Sequence, residues 1–346
     1  MAGGRHVAVV GAGSWGTTLA LHAARMGLRV RLWARREEFA GRLRDERENA
    51  EFLPGQKFPA SLVVSSDPAE VARGAGVVLW VVPSHALRSV ARLILPRCDP
   101  GSLHVSASKG IEDETFSTMT EVLRQEGCPA GDAGVLSGPS FAREVAAGLP
   151  TAVTLAFPGR GAQVAVQSLL STPVLRLYTS SDVLGVELGG ALKNVYAIAA
   201  GISDGLNLGL NARAALVTRG INEMGRLAKA MGANPLTLSG LSGVGDLILT
   251  ATGDLSRNRR VGVRLGAGES LDSILSGSHQ VAEGVRNAKS VWGLARAREV
   301  GVPTAREVYR VLHEGKQPRQ GLVDLLTRRL KEELPPELDR PSGDGR

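Results

Sequence analysis

Residues 6–26 read HVAVVGAGSWGTTLALHAARM. A short apolar run, His6 to Val10, ends in Gly11-Ala12-Gly13-Ser14-Trp15-Gly16, and Thr17 to Met26 then has helical character. The order is strand, glycine turn, helix. Glycines there permit a tight turn and let backbone approach a pyrophosphate, which the free N–H groups at the helix start attract. Gly11, Gly13, Ser14, Trp15 and Gly16 are therefore candidate dinucleotide contacts, with Trp15 either a lid over the cofactor or a packing residue. The stretch opens an α/β Rossmann domain with a mostly parallel sheet.

Working outward, the next strand, Arg29 to Ala34, ends at Arg35-Arg36, about where an NAD enzyme places an acid on the ribose hydroxyls. Two cations suit the extra 2′-phosphate of NADP, so NADP(H) is favoured and NAD(H) admitted. A chance pair in an arginine-rich chain is the plainer account, and Glu37 and Glu38 stand just beyond. Val77 to Val82 is wholly apolar, as a strand buried on both faces should be, and stops at Pro83-Ser84. Leu103 to Ala107 leads to Ser108-Lys109-Gly110, and Gly134 to Leu136 to Ser137-Gly138-Pro139-Ser140. Carboxyl ends of parallel strands share one edge, so Gly11, Arg35, Ser84, Lys109 and Ser140 can line a single crevice.

From about Asp182 the pattern turns to helices. The run Val183 to Ile202, VLGVELGGALKNVYAIAAGI, carries apolar residues at three- and four-residue steps, the stripe of a helix packed inside a domain. Lys193 sits within it. Helical side chains lean toward the N-terminus, so Lys193 is expected to reach back over Gly189 and Gly190, an ammonium above an empty floor. A lysine that snorkels to water is the bland alternative. The chain has only seven lysines against thirty-four arginines, so a lysine here suggests a need for a pKa that burial can lower. Further helices are expected at Ala212 to Met231, Asp246 to Ala251, Arg257 to Leu265, Ala288 to Glu299 and Ala305 to Leu312, with no convincing strand. Asp246 and Thr250 then share one helix face. Ser256 caps the helix opening at Arg257-Asn258, whose free N–H groups favour a phosphate. Arg259 and Arg260 read more plainly as a solvated face.

At 346 residues, 43% hydrophobic and 22% charged, the chain is large enough for two domains. We place the dinucleotide-binding domain at 1–181, an all-α C-terminal substrate and catalytic domain at 182–334, and a disordered tail at 335–346, which lacks apolar groups to bury. The net charge of +7 points to anionic partners. It is scattered, and few aromatics are available to stack on bases, so phosphorylated small molecules fit better than nucleic acid. Cys98 and Cys128 stand in no metal or redox spacing, which argues for no metal and a reducing compartment. The opening MAGGRHVAVV reads as too short, and too soon followed by glycines, for a signal peptide, and no apolar run is expected to approach the roughly 20 residues that span a bilayer. A cytoplasmic protein without a membrane span is expected.

Several blocks carry a resemblance. Gly11 to Thr17, Asn49 to Gly55 (NAEFLPG), Val82-Pro83-Ser84 with Leu87-Arg88, Ser108 to Glu112 (SKGIE), Leu136 to Glu144 (LSGPSFARE), Gly185 to Val195 (GVELGGALKNV), Asn211 to Leu216 (NARAAL), Gly243 to Leu247 and Leu255 to Arg260 (LSRNRR) resemble the bacterial NAD(P)-dependent sn-glycerol-3-phosphate dehydrogenases. The likeness runs from His6 to about Lys331. Asn207, Leu210, Ala251 and Ala282 depart from the residues usual in that family. The resemblance implies that Lys193 is the general acid or base, with Lys109 and Asn194 beside the substrate oxygens and Asp246 and Thr250 completing the pocket. It implies substrate contacts at Gly138 and Ser140, and phosphate contacts at Ser256, Arg257 and Asn258. Ser14, Trp15, Arg35, Arg36, Lys109, Ala142, Arg257, Val281 and Glu283 would hold the dinucleotide. It further implies reversible hydride transfer between NAD(P)H and dihydroxyacetone phosphate, a supply of glycerol phosphate for phospholipid synthesis, and a homodimer. A related dehydrogenase would share the turn and a lysine but not LSRNRR, and a non-catalytic dinucleotide sensor would have no use for Lys193, Asp246 and Arg257 together.

Overall fold

The computed structural model describes residues 5–276, 282–330 and 333. Val281 and the tail at 335–346 lie outside the described residues.

Among the described residues ten strands are formed: β1 His6–Val10, β2 Val30–Trp33, β3 Glu48–Asn49, β4 Leu53–Lys57, β5 Leu62–Ser65, β6 Ala75–Trp80, β7 Leu103–Ser106, β8 Ala133–Ser137, β9 Thr151–Ala156 and β10 Leu175–Ser180. Eight make one sheet in the order β10-β9-β8-β7-β6-β1-β2-β5, and β3 with β4 forms a separate antiparallel pair. Every neighbour in the large sheet is parallel except β8 with β9. Strand β6 is buried at all six positions, as an apolar run between two helical layers should be. The order turns outward in opposite directions at β1 and β6, which places the ligand crevice above their carboxyl ends.

No strand follows Ser180 among the described residues. The helix Val183–Gly205 begins under the side chain of Asp182, which accepts from Gly185 N at 2.9 Å. It runs through the centre of the second core with Leu188, Leu192, Val195 and Ile198 buried on its flanks. The expectation of no spanning-length apolar run needs correction, because this 23-residue helix passes that test by length and composition. Its apolar character is accounted for by the fold, since 89% of the apolar window is buried inside it.

Against it lies the helix Arg257–Gly266, and the two backbones touch. A Cβ at Gly201 would sit 2.1 Å from Arg259 O, and one at Gly262 2.2 Å from Ile198 O. Glycines let two helices approach closer than side chains allow, as Gly205 and Gly266 also do one turn further on. That crossing carries the start of the Arg257 helix to the turn that holds Asn194.

Candidate active site

Lys193 is buried, and its ammonium stays inside. Nζ donates to Asp246 Oδ1 at 2.9 Å and to Thr250 Oγ1 at 2.6 Å. The helix Asp246–Thr252 presents both groups on one face, one turn apart, after a five-residue π-type turn at Leu241–Gly245. Lys109 arrives from the other domain, on the loop that leaves β7, and donates to Asp246 Oδ2 at 2.5 Å and to Gly138 O at 3.0 Å. One carboxylate thus sits between two ammonium groups. Burial pushes Asp246 up, but the charges and hydrogen bonds of Lys109 and Lys193 more than reverse this and hold it below the usual carboxylate range. Burial pushes Lys193 down to about 8 despite the attraction of Asp246, with Lys109 and Arg257 adding to the depression. An amine that titrates near neutrality can both give and take a proton.

The floor under Lys193 is not empty. A Cβ at Gly189 would meet Ser242 O at 2.6 Å, and one at Gly190 would meet Ser137 Oγ at 2.5 Å and Lys109 Cγ at 3.4 Å. The two glycines admit the 242–243 backbone and the Lys109 stem against the helix instead of leaving space for a ligand. Periodicity located the turn but could not say what packs on it.

The other expected substrate residues gather around the lysines. Ser140 Oγ donates to Gly138 O at 3.0 Å, the carbonyl that Lys109 also uses. Asn258 is turned inward: its Nδ2 donates to Asn194 Oδ1 at 2.8 Å and its Oδ1 accepts from Gly284 N at 3.0 Å. This fixes the Asn194 amide with its carbonyl on Asn258. Ser256 caps the helix by accepting from Arg259 N at 3.2 Å, while Arg257 stays open to solvent in its first turn. Arg259 departs from a solvated face, since it is seated on Asp204 at 2.8 Å and Asp254 at 2.9 Å. Arg260 remains exposed.

The glycine turn fits a dinucleotide. Gly11 has φ +115°, and a Cβ there would lie 2.5 Å from Val81 O; one at Gly16 would lie 1.9 Å from Gly11 O. Gly13 is different: nothing stands within 4 Å of its Cβ position, an open cradle beside the start of the helix Ser14–Arg25. Trp15 is partly buried against the first core. Asn49, quoted above only as part of a block, holds the turn, since its buried Nδ2 donates to Ala12 O at 2.9 Å and Thr17 Oγ1 at 2.8 Å. Ser14 Oγ donates to Phe52 O at 2.7 Å, and Thr18 Oγ1 to Ala142 O at 3.1 Å, so Ala142 lies beside the same helix. Arg35 and Arg36 are exposed past β2, with Arg36 over the Phe39 ring at 5.7 Å. Glu37 is committed to Ser66 and to Arg44 at 2.5 Å. Ser84 donates to Glu283 Oε2 at 2.9 Å, joining the β6 end to the helix Glu283–Ala297 of the second domain.

Residues 6–162 match the model of the NAD-dependent glycerol-3-phosphate dehydrogenase N-terminus, and residues 182–323 that of its C-terminus. The chain belongs to the NAD-dependent glycerol-3-phosphate dehydrogenase family. It is 52% identical over 332 residues to a glycerol-3-phosphate dehydrogenase [NAD(P)+] of Geobacter metallireducens, covering 95% of this chain and 99% of the relative. A Desulfotalea psychrophila protein of the same name is 51% identical, covering 94% and 98%. The crystal structure of glycerol-3-phosphate dehydrogenase from Coxiella burnetii superposes with a TM-score of 0.89 at 41% identity, covering 94% of this chain and 99% of that one. The fold itself reaches wider than the glycerol-3-phosphate dehydrogenases: a ketopantoate reductase from Ralstonia eutropha shares it with a TM-score of 0.58 at 15% identity, over 92% and 100% of the two chains.

Proposed function

We propose that the chain reduces dihydroxyacetone phosphate to sn-glycerol 3-phosphate reversibly, with Lys193 as general acid in reduction and general base in oxidation. The observation that carries this reading is the array Lys193–Asp246–Lys109, buried at Lys193 and Asp246, with an arginine-bearing helix start beside it. The glycine turn, Arg35, Arg36, Ser84, Ala142 and Glu283 would hold the dinucleotide, which when bound exchanges a hydride with C2 of the substrate. Lys193 gives its proton to the carbonyl oxygen in reduction and takes the hydroxyl proton in oxidation. Asp246 and Thr250 aim its ammonium. Lys109 and Asn194 stabilise the forming alkoxide in a site shielded from water. Ser256 and Arg257 seat the phosphate at the helix N-terminus. Cytoplasmic location, a homodimer and a supply of glycerol phosphate for phospholipid synthesis belong to the same reading and rest on the family likeness.

The substrate assignment is tested by NADPH oxidation with dihydroxyacetone phosphate and with unphosphorylated dihydroxyacetone at equal concentration. Turnover is expected with the phosphate ester alone, because each charge-assisted contact to the phosphate contributes about 1.5–3 kcal/mol. Equal rates with both compounds would remove the assigned substrate.

NADP(H) is the favoured cofactor. Arg35 makes no hydrogen bond or ion pair among the described residues and is exposed where a 2′-phosphate would lie, whereas the first acid beyond it, Glu37, is held by Ser66 and Arg44. Replacing Arg35 and Arg36 together by glutamine should raise KM for NADPH at least about tenfold, the equivalent of one lost charge-assisted contact, and leave KM for NADH little changed. Equal weakening of both cofactors would return the arginines to a structural role.

A further inference from the structure

The two lysines on Asp246 come from different domains, so their joint placement depends on how the Lys109 loop is seated against the Lys193 helix. Gly110, the next residue of that loop, has no room above its Cα. A Cβ there would lie 2.4 Å from Ser84 Cβ and 3.3 Å from Asn287 Oδ1. Asn287 stands one turn after Glu283, the residue that holds Ser84. Its Nδ2 donates to Ala191 O at 3.1 Å, two residues before Lys193. One side chain therefore reaches the backbone beside both lysines. It is 1% exposed, and its Oδ1 finds no hydrogen-bond partner among the described residues. An apolar side chain of that size would avoid the cost of a buried acceptor without a donor, so packing alone does not account for an amide here.

We infer that Asn287 is a positioning residue that ties the Lys109 loop to the Lys193 helix and so holds both ammonium groups on Asp246. Its Nδ2 fixes it to the helix, and its Oδ1 seats against Gly110, where a Cα–H can serve as a weak donor. The groups that face Lys193 are Asp246 and Thr250, Lys109 from the loop, and Arg257. Lys109 and Arg257 lower its proton affinity and Asp246 raises it. A loop released from Asp246 takes the Lys109 repulsion away and leaves Asp246 to Lys193 alone, so Lys193 should then titrate higher.

The role of Lys193 in the proposed reaction enters only the kinetic arm of the test. Asn287→Leu keeps the volume and removes both polar ends; Asn287→Ala removes both contacts without new bulk and serves where leucine does not fold. The titration of Lys193 is read in ligand-free protein by ¹³C NMR of the lysine Cε in protein made with ¹³C-labelled lysine, with its signal assigned from the Lys193→Arg spectrum. The midpoint is expected to rise by about half a pH unit or more. Turnover should fall about tenfold to a hundredfold, the scale of a small misplacement of reacting groups, with the Kd for NADPH by fluorescence within about twofold. A midpoint that does not move in a folded variant, even one of lowered thermal stability, overturns the inference and makes Asn287 a packing residue. Failure to reduce dihydroxyacetone phosphate would overturn the substrate assignment and leave the NMR result standing.

Discussion

Lys193→Met should lower kcat for dihydroxyacetone phosphate reduction by about a hundredfold to ten-thousandfold, the usual range for loss of a general acid. Methionine keeps the length of the stem and loses the ammonium, and NADPH binding should survive. A snorkelling lysine would tolerate the change, but the head of this side chain is not in water: the side chain is 8% exposed and bonded to Asp246 and Thr250. Lys193→Arg should fail almost as badly, because a guanidinium keeps its proton near neutral pH and its broad planar fork does not reproduce the Lys193 contacts to Asp246 and Thr250 in a buried site. The pH dependence follows from the same group. Reduction needs the protonated amine, so its kcat should hold at low pH and fall as pH rises through about 8; oxidation needs the neutral amine and should rise over the same interval. Steady-state rates of both variants, with NADPH binding followed by fluorescence, decide the matter, and near-normal turnover in Lys193→Met ends the assignment.

What could be read from the sequence was what is local. Strand, glycine turn and helix are consecutive; β1 and β6 read as apolar runs, β1 with its ends as observed, and β2, β7 and β8 read as short strands whose ends are displaced by a residue or so. The pairing of Asp246 with Thr250 was visible as well, because one helical turn fixes it. Strands β9 and β10 carry partly exposed residues among buried ones and gave no apolar run, and the antiparallel entry of β9 beside β8 follows from a chain reversal that no short pattern encodes. The strand-end rule put Lys109 on the right edge. It could not put Lys109 on Asp246, which is 137 residues away and in the other domain. Asn49 and Asn287 were missed for a related reason: each is a buried amide that donates to a distant backbone carbonyl, and such a residue looks like any polar residue in the sequence. The misread floor at Gly189 and Gly190 shows the converse, since a glycine marks close approach without saying whether backbone or ligand approaches.

Asp246→Asn should be nearly as damaging as the loss of Lys193, and it should move the pH profile in a direction that identifies the cause. The carboxylate is the only acid bonded to either lysine among the described residues, so its removal leaves a buried and a partly buried ammonium group facing each other across a neutral amide. Breaking a buried ion pair by removing one partner typically costs about 3–5 kcal/mol, and a lower Tm is therefore expected. Asp246 is also the group that raises the proton affinity of Lys193. Without it, burial, Lys109 and Arg257 all act in one sense, and the amine titrates below about 8. At neutral pH a smaller fraction of it is then protonated and able to serve as the acid. The expected result is at least about a hundredfold loss of reduction at pH 7.5, partly recovered as pH falls toward 6 and the amine regains its proton. The variant at Asn287 should shift the same limb upward, so the two substitutions move one titration in opposite senses through one carboxylate. An Asp246 that served only to cross-link the domains would lower stability and leave the limb where it was. Rate profiles of Asp246→Asn across pH 5.5–9, taken well below its Tm, separate these outcomes, and a limb that stays near 8 would remove Asp246 from the control of the Lys193 proton.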